Sequence, residues 1–572
     1  MNGTLAKNVP APPIDVTQIS FFSDFIIPVW KGVNPQTLHR VCTLMRKMDA
    51  KWLVEEELEE SLELANEFEA IKTRCGRNTQ CEAKRYSFFS DLPNGDWHHR
   101  DARKQMLAYV VLVTFKFPEE HFPTNINQRV RTYMYEAVAV LPARHIKEAD
   151  GKITDIPITN YYHHCYNKFK TVIGTKKDCV KFDIIGTFFT QQNALTSVCA
   201  HACIQMAVNN SPVFVRKRRK KKVTSERINK ILGINHQTPD KRIGEFELDS
   251  EPTKTKGLTS KQLERVAKKL GIGVLKADFL SDPGVDAAKW IYPYLESCCP
   301  TILGIQRPPI GTTKWFSHVV TVLGHTMNTD CWGPEAKSGY RQLTSSNYHS
   351  TSDWVDHFLI ADDNFGMYRT LPTNELHHII LPQFNANLHP SMAMSFVPKE
   401  VTGRPIEVEY AAVFFVRRLM KYLEDNFPVL GQLRWFNRIS QTKNEMTCRT
   451  FWSTADCYME HLRTQEDKEG NKVGQDMLKK VKKSLPELFW VTEISLSDIL
   501  WGNKSKLGDI LICIDFTYEN YTGLKGIFKA VKFSWLPGVA RIGKQGRLYS
   551  WPFIGYISIQ RPAFVSYSQS EW

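Results

Sequence analysis

The feature that most constrains this chain is a change of period at a cysteine, within residues 190–209 (TQQNALTSVCAHACIQMAVN). An apolar, strand-like run at 182–189 comes before it, and from Cys199 onward apolar residues recur at helical spacing. Thr196 and Ser197 are residue types that cap helices, so Cys199 is predicted in a first helical turn. Orphan N–H groups and the helix dipole favour a thiolate there, which indicates a nucleophile. The alternative is a small buried core residue.

Length and cysteine usage indicate a large protein without disulfides. At roughly 100–200 residues per domain, the 572 residues predict about three domains. The 13 cysteines are odd in number and lack framework spacing, and the N-terminus MNGTLAKNVPAPPIDV has no secretory signal pattern. We therefore expect free thiols in a reducing cytoplasm. Every apolar run is far shorter than the roughly 20 residues of a membrane span, so no membrane association is predicted.

One basic run carries half of the net charge of +14. Such a run is typical of a solvated loop, and the alternative is a binding site for nucleic acid or an acidic partner. No nucleic-acid motif or interleaved aromatic residue accompanies it. The run consists of Arg216, Lys217, Arg218, Arg219, Lys220, Lys221 and Lys222.

No metal or cofactor site is predicted. His163, His164 and Cys165 are adjacent, which is poor spacing for one metal ion without further ligands, and no second cluster accompanies them. The same holds for Cys75 and Cys81. Structural roles are the expectation for both groups.

The N-terminal region is predicted to mix helix and sheet. Residues 36–72 are interpreted as helical, and the acidic segment 52–72 places Val54, Leu58 and Leu62 on one apolar face. Its glutamates are expected to face water. Strand-like runs follow within 106–142, and no catalytic chemistry is predicted in this region.

Helix signals are clearer in the middle of the chain. A short helix is predicted over 224–232. Thr259 and Gln262 form a capping box that starts a second helix, and Gly271 ends it. A strand is predicted at 300–305 (PTILGI).

Two further motifs carry ionisable side chains at strand ends. His318 heads the alternating run HVVTVLGH, and FLIADDNFG places Asp362 and Asp363 after an apolar strand. A histidine at a strand edge can offer one ring nitrogen to a thiol and the other to an orienting acceptor. A neighbouring carboxylate can hold its tautomer, as in a catalytic triad. Taken singly, each motif is better explained as a strand end or a turn.

The order of these motifs resembles the papain-like cysteine peptidases: a cysteine on a helix, then HVVTVLGH, then ADDNFG. The similarity is closest to the bacterial branch that includes the bacteriocin-leader-processing peptidases. That branch also has a helix of the GLTSKQLERVAKKLG kind and a PTILGI-type strand between cysteine and histidine. The resemblance covers about residues 183–385.

The resemblance implies roles for the catalytic residues. Cys199 would be the nucleophile, His318 the general base and acid, and Asp362 the orienting carboxylate. Asp363 is sterically an equal contender, but Asp362 lies four residues before Gly366, which suits the aspartate-to-glycine spacing of the family better.

The oxyanion donor implied by the family is a glutamine five or six residues before the cysteine. Gln192 lies seven before Cys199 and is preferred, with Gln191 and Asn193 in reserve. A second departure is Ala200, which stands where the family has glycine. Both departures from the family pattern bear on the expected cleavage rate and substrate class more than on the expected fold.

These observations predict an α+β protein with a papain-like domain over 181–395, flanked by mixed modules over 1–180 and 396–572. The predicted function is thiol-dependent hydrolysis of a peptide or isopeptide bond through a Cys-His-Asp triad, with acyl transfer or deamidation left open. The alternative is a non-catalytic papain-like scaffold that binds nucleic acid or an acidic partner through the basic run.

Overall fold

A computed structural model provides the structure of the protein. It describes residues 4–16, 29–30, 35–118, 130–141, 143–147, 153–157, 161–163, 165–217, 222–234, 258–282, 285–307, 316–326, 348–373, 379–381, 386–432, 434–442, 446–464, 472, 475–497, 500, 506–517, 527–531, 538–542 and 548–552. Within them, eleven α-helices, α1 to α11, span Gln36–Lys47, Leu62–Cys75, Cys199–Asn210, Pro212–Lys217, Ser225–Leu232, Ser260–Lys269, Ala287–Glu296, Pro405–Asn426, Arg434–Gln441, Ala455–Arg463 and Gln475–Ser484.

The strands occur mostly in consecutive runs between these helices. Strands β1 to β12 span Ile14–Asp15, Trp52–Glu57, Gln80–Phe89, Met106–Lys116, Val130–Ala139, Ala143–Lys147, Ile153–Pro157, Tyr161–His163, Asn167–Gly174, Cys179–Phe189, Ile272–Asp278 and Thr301–Arg307. Strands β13 to β24 span Phe316–Thr326, His349–Ser350, His357–Asp362, Gly366–Pro372, Ile379–Leu381, Ala386–Pro398, Met446–Thr454, Leu488–Leu496, Gly508–Cys513, Ile527–Val531, Gly538–Ile542 and Leu548–Pro552.

The predicted mixture of helix and sheet is confirmed. The described residues form three large sheets that are rich in antiparallel pairs, with helices between their strands. Among these residues no helix has both the length and the apolar character needed to cross a bilayer. The described cysteines are free thiols.

The chain divides into two compact units, each built from separated stretches. The first comprises Met1–Ile272, Ile302–Leu323 and Leu359–Leu371, and the second comprises Gly273–Thr301, Gly324–Phe358 and Pro372–Trp572. This grouping follows spatial neighbours rather than chain order, so the three consecutive segments inferred from the sequence stay a prediction.

The first unit contains a seven-stranded sheet in the order β1-β2-β3-β4-β5-β10-β9. Strand β4 reads MLAYVVLVTFK and is buried along almost its whole length, because apolar residues occupy both of its faces. Strand β10 pairs first with β9 and then, towards its C-terminal end, with β5. It leads into the loop before α3, and helix α3 packs back against β10. The same unit contains the neighbouring strands β12-β13-β15-β16.

The acidic segment 52–72 is not one helix, so that prediction is wrong. Residues Trp52–Glu57 form β2, which pairs antiparallel with β3, and Leu62 at the start of α2 is 79% exposed. The expectation that its glutamates face water also fails at Glu56, which is buried and forms an ion pair with Arg85 at 2.7 Å. Its cross-strand neighbour Arg85, 29 residues away, supplies the countercharge that a helix over 52–72 would lack.

The capped helices are confirmed. In α5 the Thr224 side chain accepts a hydrogen bond from the Arg227 N–H, and Gly233 adopts a left-handed conformation just past the end. In α6 the capping box of Thr259 and Gln262 is formed in both directions. Short-range signals placed both helices correctly because every partner lies within a few residues.

The second unit is built around a sheet in the order β14-β19-β20-β21-β22-β23-β24. Helix α8 packs against β19 and β20, and α10 and α11 pack against each other over a buried core that includes Phe451, Leu462 and Leu511. In the same unit, Arg449 forms ion pairs with Glu296 and Glu493, and all three are buried.

Candidate active site

Cys199 is the first residue of α3 and is partly exposed. The residue that caps this helix is Val198, in extended conformation, and not Thr196 or Ser197, so the predicted cap is wrong. A histidine replaces the usual capping side chain: His201 Nδ1 accepts a hydrogen bond from the Val198 N–H at 3.3 Å. Cys199 thus lies at the helix N-terminus, as the sequence predicts, where backbone N–H groups favour negative charge.

The loop before α3 is shaped by Asn193. Its Oδ1 accepts hydrogen bonds from the backbone N–H groups of Leu195 and Thr196 at 2.9 Å and of Ser197 at 3.1 Å. Its Nδ2 donates to the buried Glu67 carboxylate on α2 at 2.9 Å. Asn193 is therefore a structural residue, and its amide is not available to a substrate oxyanion.

Gln191 is also committed to the fold. Its Oε1 accepts hydrogen bonds from the Met134 N–H at 3.0 Å and from Thr37 Oγ1 at 3.4 Å. Gln192, by contrast, is partly exposed, and its side chain makes no hydrogen bond to the described residues. Its backbone N–H approaches the Asp363 carboxylate. Of the three amides weighed from the sequence, only the side chain of Gln192 is not held by a hydrogen bond to the described residues.

His318 lies near the start of β13, with its side chain 12% exposed. Its Nε2 is 3.1 Å from Asp362 Oδ1, a hydrogen-bond distance, and 3.7 Å from Asp363 Oδ1. The Cys199 thiol is also a hydrogen-bond partner of this imidazole. The same ring nitrogen, Nε2, therefore meets both carboxylates. Residues 199, 318 and 362 thus converge.

The surroundings of His318 favour its charged form. Burial alone would lower the pKa of the imidazole, but the Asp362 carboxylate and the hydrogen bonds to Asp362 and Cys199 raise it well above its ordinary value. A protonated imidazole beside a cysteine stabilises the thiolate.

The two aspartates differ in how they meet His318. Asp362 ends β15, makes the hydrogen bond and also accepts the Asn364 N–H at 2.9 Å. Asp363 is fully buried; burial raises its pKa to about 7, His318 opposes that rise and the Asp362 carboxylate adds to it. The geometry therefore favours Asp362 as the orienting carboxylate, the choice made from the family spacing.

A second cysteine lies one turn along α3 in a different environment. Cys203 is fully buried, and its Sγ donates to the Val319 carbonyl at 3.3 Å. Burial and the nearby Asp363 carboxylate raise the pKa of its thiol well above the ordinary value. Cys203 is therefore a packing residue.

Two residues that support the site were missed from the sequence. Glu67 holds Asn193 and is also bound by the Tyr133 hydroxyl at 2.8 Å. Arg40 on α1 donates from Nε to the Met367 carbonyl at 3.1 Å, in the strand that follows the two aspartates. The sequence pattern could have indicated the buried role of Glu67, because Glu67 lies on the same face of α2 as buried apolar residues. No local pattern could have indicated the role of Arg40, because its acceptors are more than 300 residues away.

The histidines considered as metal ligands in the sequence analysis either have structural roles or lie outside the described residues. His163 is buried, with Nδ1 3.0 Å from the Leu323 carbonyl and Nε2 2.6 Å from Thr187 Oγ1, as expected of a structural histidine. His164 lies outside the described residues.

The basic run is only partly described. Arg216 and Lys217 belong to α4, whereas residues 218–221 lie outside the described residues. Lys222 is not solvated: its side chain is 8% exposed and forms ion pairs with Glu136 and, at 3.3 Å, with Glu63. The interpretation of the run as a solvated or anion-binding face is therefore wrong at Lys222.

No protein-family model matches this sequence, and no curated protein matches it. The functional interpretation therefore depends on the site itself. Its members are a partly exposed thiol at a helix N-terminus, an imidazole that interacts with that thiol, and a carboxylate 3.1 Å from Nε2 of the imidazole.

Proposed function

We propose that this protein is a thiol-dependent hydrolase with a papain-like catalytic domain, which cleaves a peptide or isopeptide bond by acyl transfer. Cys199 is the nucleophile, His318 the general base and acid, and Asp362 the orienting carboxylate. The observation that supports this most strongly is the convergence of the three side chains, with His318 Nε2 at 3.1 Å from Asp362 and the Cys199 thiol interacting with the same imidazole. In the proposed triad the other ring nitrogen, Nδ1, exchanges the proton with the thiol.

The reaction follows from the position of each atom. The thiol proton passes to His318, and Sγ attacks the substrate carbonyl carbon to form a tetrahedral intermediate. The bond to the leaving nitrogen then breaks as His318 returns the proton to that nitrogen. Water, deprotonated by the same imidazole, attacks the thioester and releases the acid and the free thiol. Asp362 keeps the imidazole oriented and stabilises its positive charge.

The Gln192 side-chain amide and the Cys199 backbone N–H would stabilise the oxyanion of the intermediate. Gln192 is assigned this role because the Asn193 amide nitrogen donates to Glu67 and the Gln191 side chain is held in place through its oxygen by Met134 and Thr37. Loss of one such donor costs roughly 3–4 kcal/mol of transition-state stabilisation in other hydrolases.

The same thioester can be resolved by an amine or formed from a side-chain amide, so transfer and deamidation use the same three residues. Analysis of the products separates them, since hydrolysis creates new chain termini and transfer creates a new amide. The alternative of a non-catalytic scaffold that binds through the basic run is less favoured, because Lys222 is engaged in internal ion pairs.

The first test is the relative reactivity of the cysteines. Iodoacetamide should alkylate Cys199 faster than Cys179, which is more exposed but belongs to no such cluster. His318→Ala should slow alkylation of Cys199 and leave Cys179 unchanged. Equal labelling of the two thiols in the parent protein would refute the proposal.

The second test identifies the substrate. Newly formed termini are compared by mass spectrometry between host cells with the parent protein and cells with Cys199→Ala, with Cys179→Ala as the matched control. Termini that require Cys199 but not Cys179 are the expected result. An identical set of termini in all three samples would contradict hydrolysis.

A further inference from the structure

Two carboxylates meet the same ring nitrogen of His318, Nε2, although a triad needs only one. Asp363 is fully buried, and among the described residues no donor reaches either of its oxygens in good hydrogen-bond geometry. The backbone N–H groups of Gln192 and of Asp363 itself only approach it. A buried carboxylate in this condition is costly to maintain, so its presence requires an explanation.

The ligand atoms are already spaced for a metal ion. His318 Nε2 lies 3.1 Å from Asp362 Oδ1 and 3.7 Å from Asp363 Oδ1, and one ligand atom from each of the three residues lies within 4.8 Å of the others. Ligands at about 2.0–2.2 Å from a common ion stand roughly 3–3.5 Å apart in tetrahedral or octahedral geometry. Binding would therefore require only small movements of these side chains.

We propose that His318 Nε2 and the carboxylates of Asp362 and Asp363 form a binding site for a divalent transition-metal ion, and that the bound ion inhibits Cys199. On binding, His318 releases its Nε2 proton to the solvent, and one neutral imidazole and two carboxylates then supply two negative charges, which match a divalent ion. This donor set suits zinc, manganese or iron and leaves coordination positions for water.

Inhibition follows from the proton on the imidazole. With the metal on Nε2, the ring holds its single proton on Nδ1, facing Cys199. Both nitrogens are then occupied, so the imidazole cannot accept the thiol proton, and coordination removes the hydrogen bond between Nε2 and Asp362. This consequence rests on the proposed function, whereas metal binding itself does not.

The test uses Mn²⁺ as the probe, because imidazole and carboxylate bind it and thiolates bind it poorly. The full-length chain is titrated with Mn²⁺, and free Mn²⁺ is measured by electron paramagnetic resonance. One bound ion per chain is expected for the parent and for Cys199→Ala. Asp363→Asn and His318→Gln should bind at least about tenfold more weakly, a change at the lower end of what outer-shell substitutions cause.

The matched control is His98→Ala. His98 is an exposed histidine whose ring nitrogens lie 3.2 Å from Asp96 and 3.0 Å from Asp178, so it is the obvious adventitious site. Circular dichroism verifies that each variant is folded. If Asp363→Asn does not fold, the comparison is made with His318→Gln instead. No binding, or binding that is lost in His98→Ala and kept in Asp363→Asn, would overturn the site.

The inhibitory effect has its own measurement. Alkylation of Cys199 by iodoacetamide should slow as Mn²⁺ saturates the parent protein and should be insensitive to Mn²⁺ in Asp363→Asn, while Cys179 provides the internal reference. Binding without any effect on Cys199 would refute inhibition. Specific binding in a protein with no hydrolytic activity would leave the metal site standing while the proposed function fails.

Discussion

Replacing Asn193 by alanine should open the turn that leads into the nucleophile helix. The Asn193 side chain accepts three backbone N–H groups, those of residues 195, 196 and 197, and donates to the buried Glu67 carboxylate. Alanine leaves these three N–H groups without an acceptor and Glu67 with one donor fewer. The residues concerned are buried, so water cannot replace the lost partner without local opening.

The magnitude can be worked from the three lost acceptors. An unmet buried donor costs about 1–3 kcal/mol, and neighbouring losses are not additive because the turn can open to water. The lower bound for each of the three N–H groups gives about 3 kcal/mol in total. At about 1.4 kcal/mol per factor of ten, the open form of the turn becomes roughly 100-fold more populated.

Hydrogen exchange read by mass spectrometry measures this opening directly. Peptides that cover residues 193–199 should lose about two orders of magnitude of protection in Asn193→Ala. Gln191→Ala is the matched control: it removes an amide two residues away, but the freed N–H belongs to Met134 in β5. Unchanged protection at 195–197 in Asn193→Ala, or equal loss in Gln191→Ala, would refute the role given to Asn193.

Three further substitutions test other parts of the structure. Burial raises the pKa of Glu409 from 4.5 to about 7, so the stability this group contributes below pH 4.5 is lost as the pH rises through 7, up to about 3 kcal/mol. Glu409→Gln should therefore raise the melting temperature at pH 8 and not at pH 4. An equal effect at both pH values would contradict this. Gly366→Ala should lower the free energy of unfolding by more than about 1 kcal/mol and slow alkylation of Cys199, because φ of Gly366 is +102° and an added Cβ would lie 2.8 Å from Arg40 Cβ. Unchanged stability and unchanged alkylation would refute this prediction. Arg449→Ala should cost about 3–5 kcal/mol in thermal unfolding, because two buried glutamates lose a charged partner, while Glu296 keeps His325 and Glu493 keeps Lys506. A loss below about 1 kcal/mol would contradict this and show that the remaining partners compensate for the arginine.

How far the sequence predicts this structure depends on the distance between interacting partners. The helix at 225–232 and the capping box of Thr259 and Gln262 were predicted because both partners lie within one helical turn. The segment 52–57 was mistaken for helix because its decisive partner, Arg85, lies in another strand. Helical spacing of Val54, Leu58 and Leu62 was accidental, and Leu62 is in fact exposed.

The candidate site shows the same limit. The order of cysteine, histidine and aspartate was enough to nominate Cys199, His318 and Asp362, which the structure brings together. Spacing alone left Gln191, Gln192 and Asn193 open as oxyanion donors. The three candidates are distinguished only by their contacts to Met134 and Glu67, which belong to a strand and a helix more than 50 residues away in sequence.

The residues that hold the site suggest a test of where the catalytic domain begins. The resemblance places its start near 181, yet Glu67 fixes the loop before Cys199, β5 anchors Gln191, and Arg40 binds the strand after Asp362. All of these supports precede residue 181. Their loss would leave buried hydrogen-bonding groups on the nucleophile loop without partners.

A fragment of residues 181–395 should therefore fail to assemble the site, although it contains the three proposed catalytic residues. The expected result is that iodoacetamide alkylates Cys199 in this fragment at the same rate with and without urea, as in an unstructured chain. The full-length protein, in contrast, should lose its enhanced rate in urea. A fragment that keeps the enhanced, urea-sensitive reactivity of the whole chain would show that residues 1–180 are dispensable, and would refute the support assigned to Glu67 and Arg40.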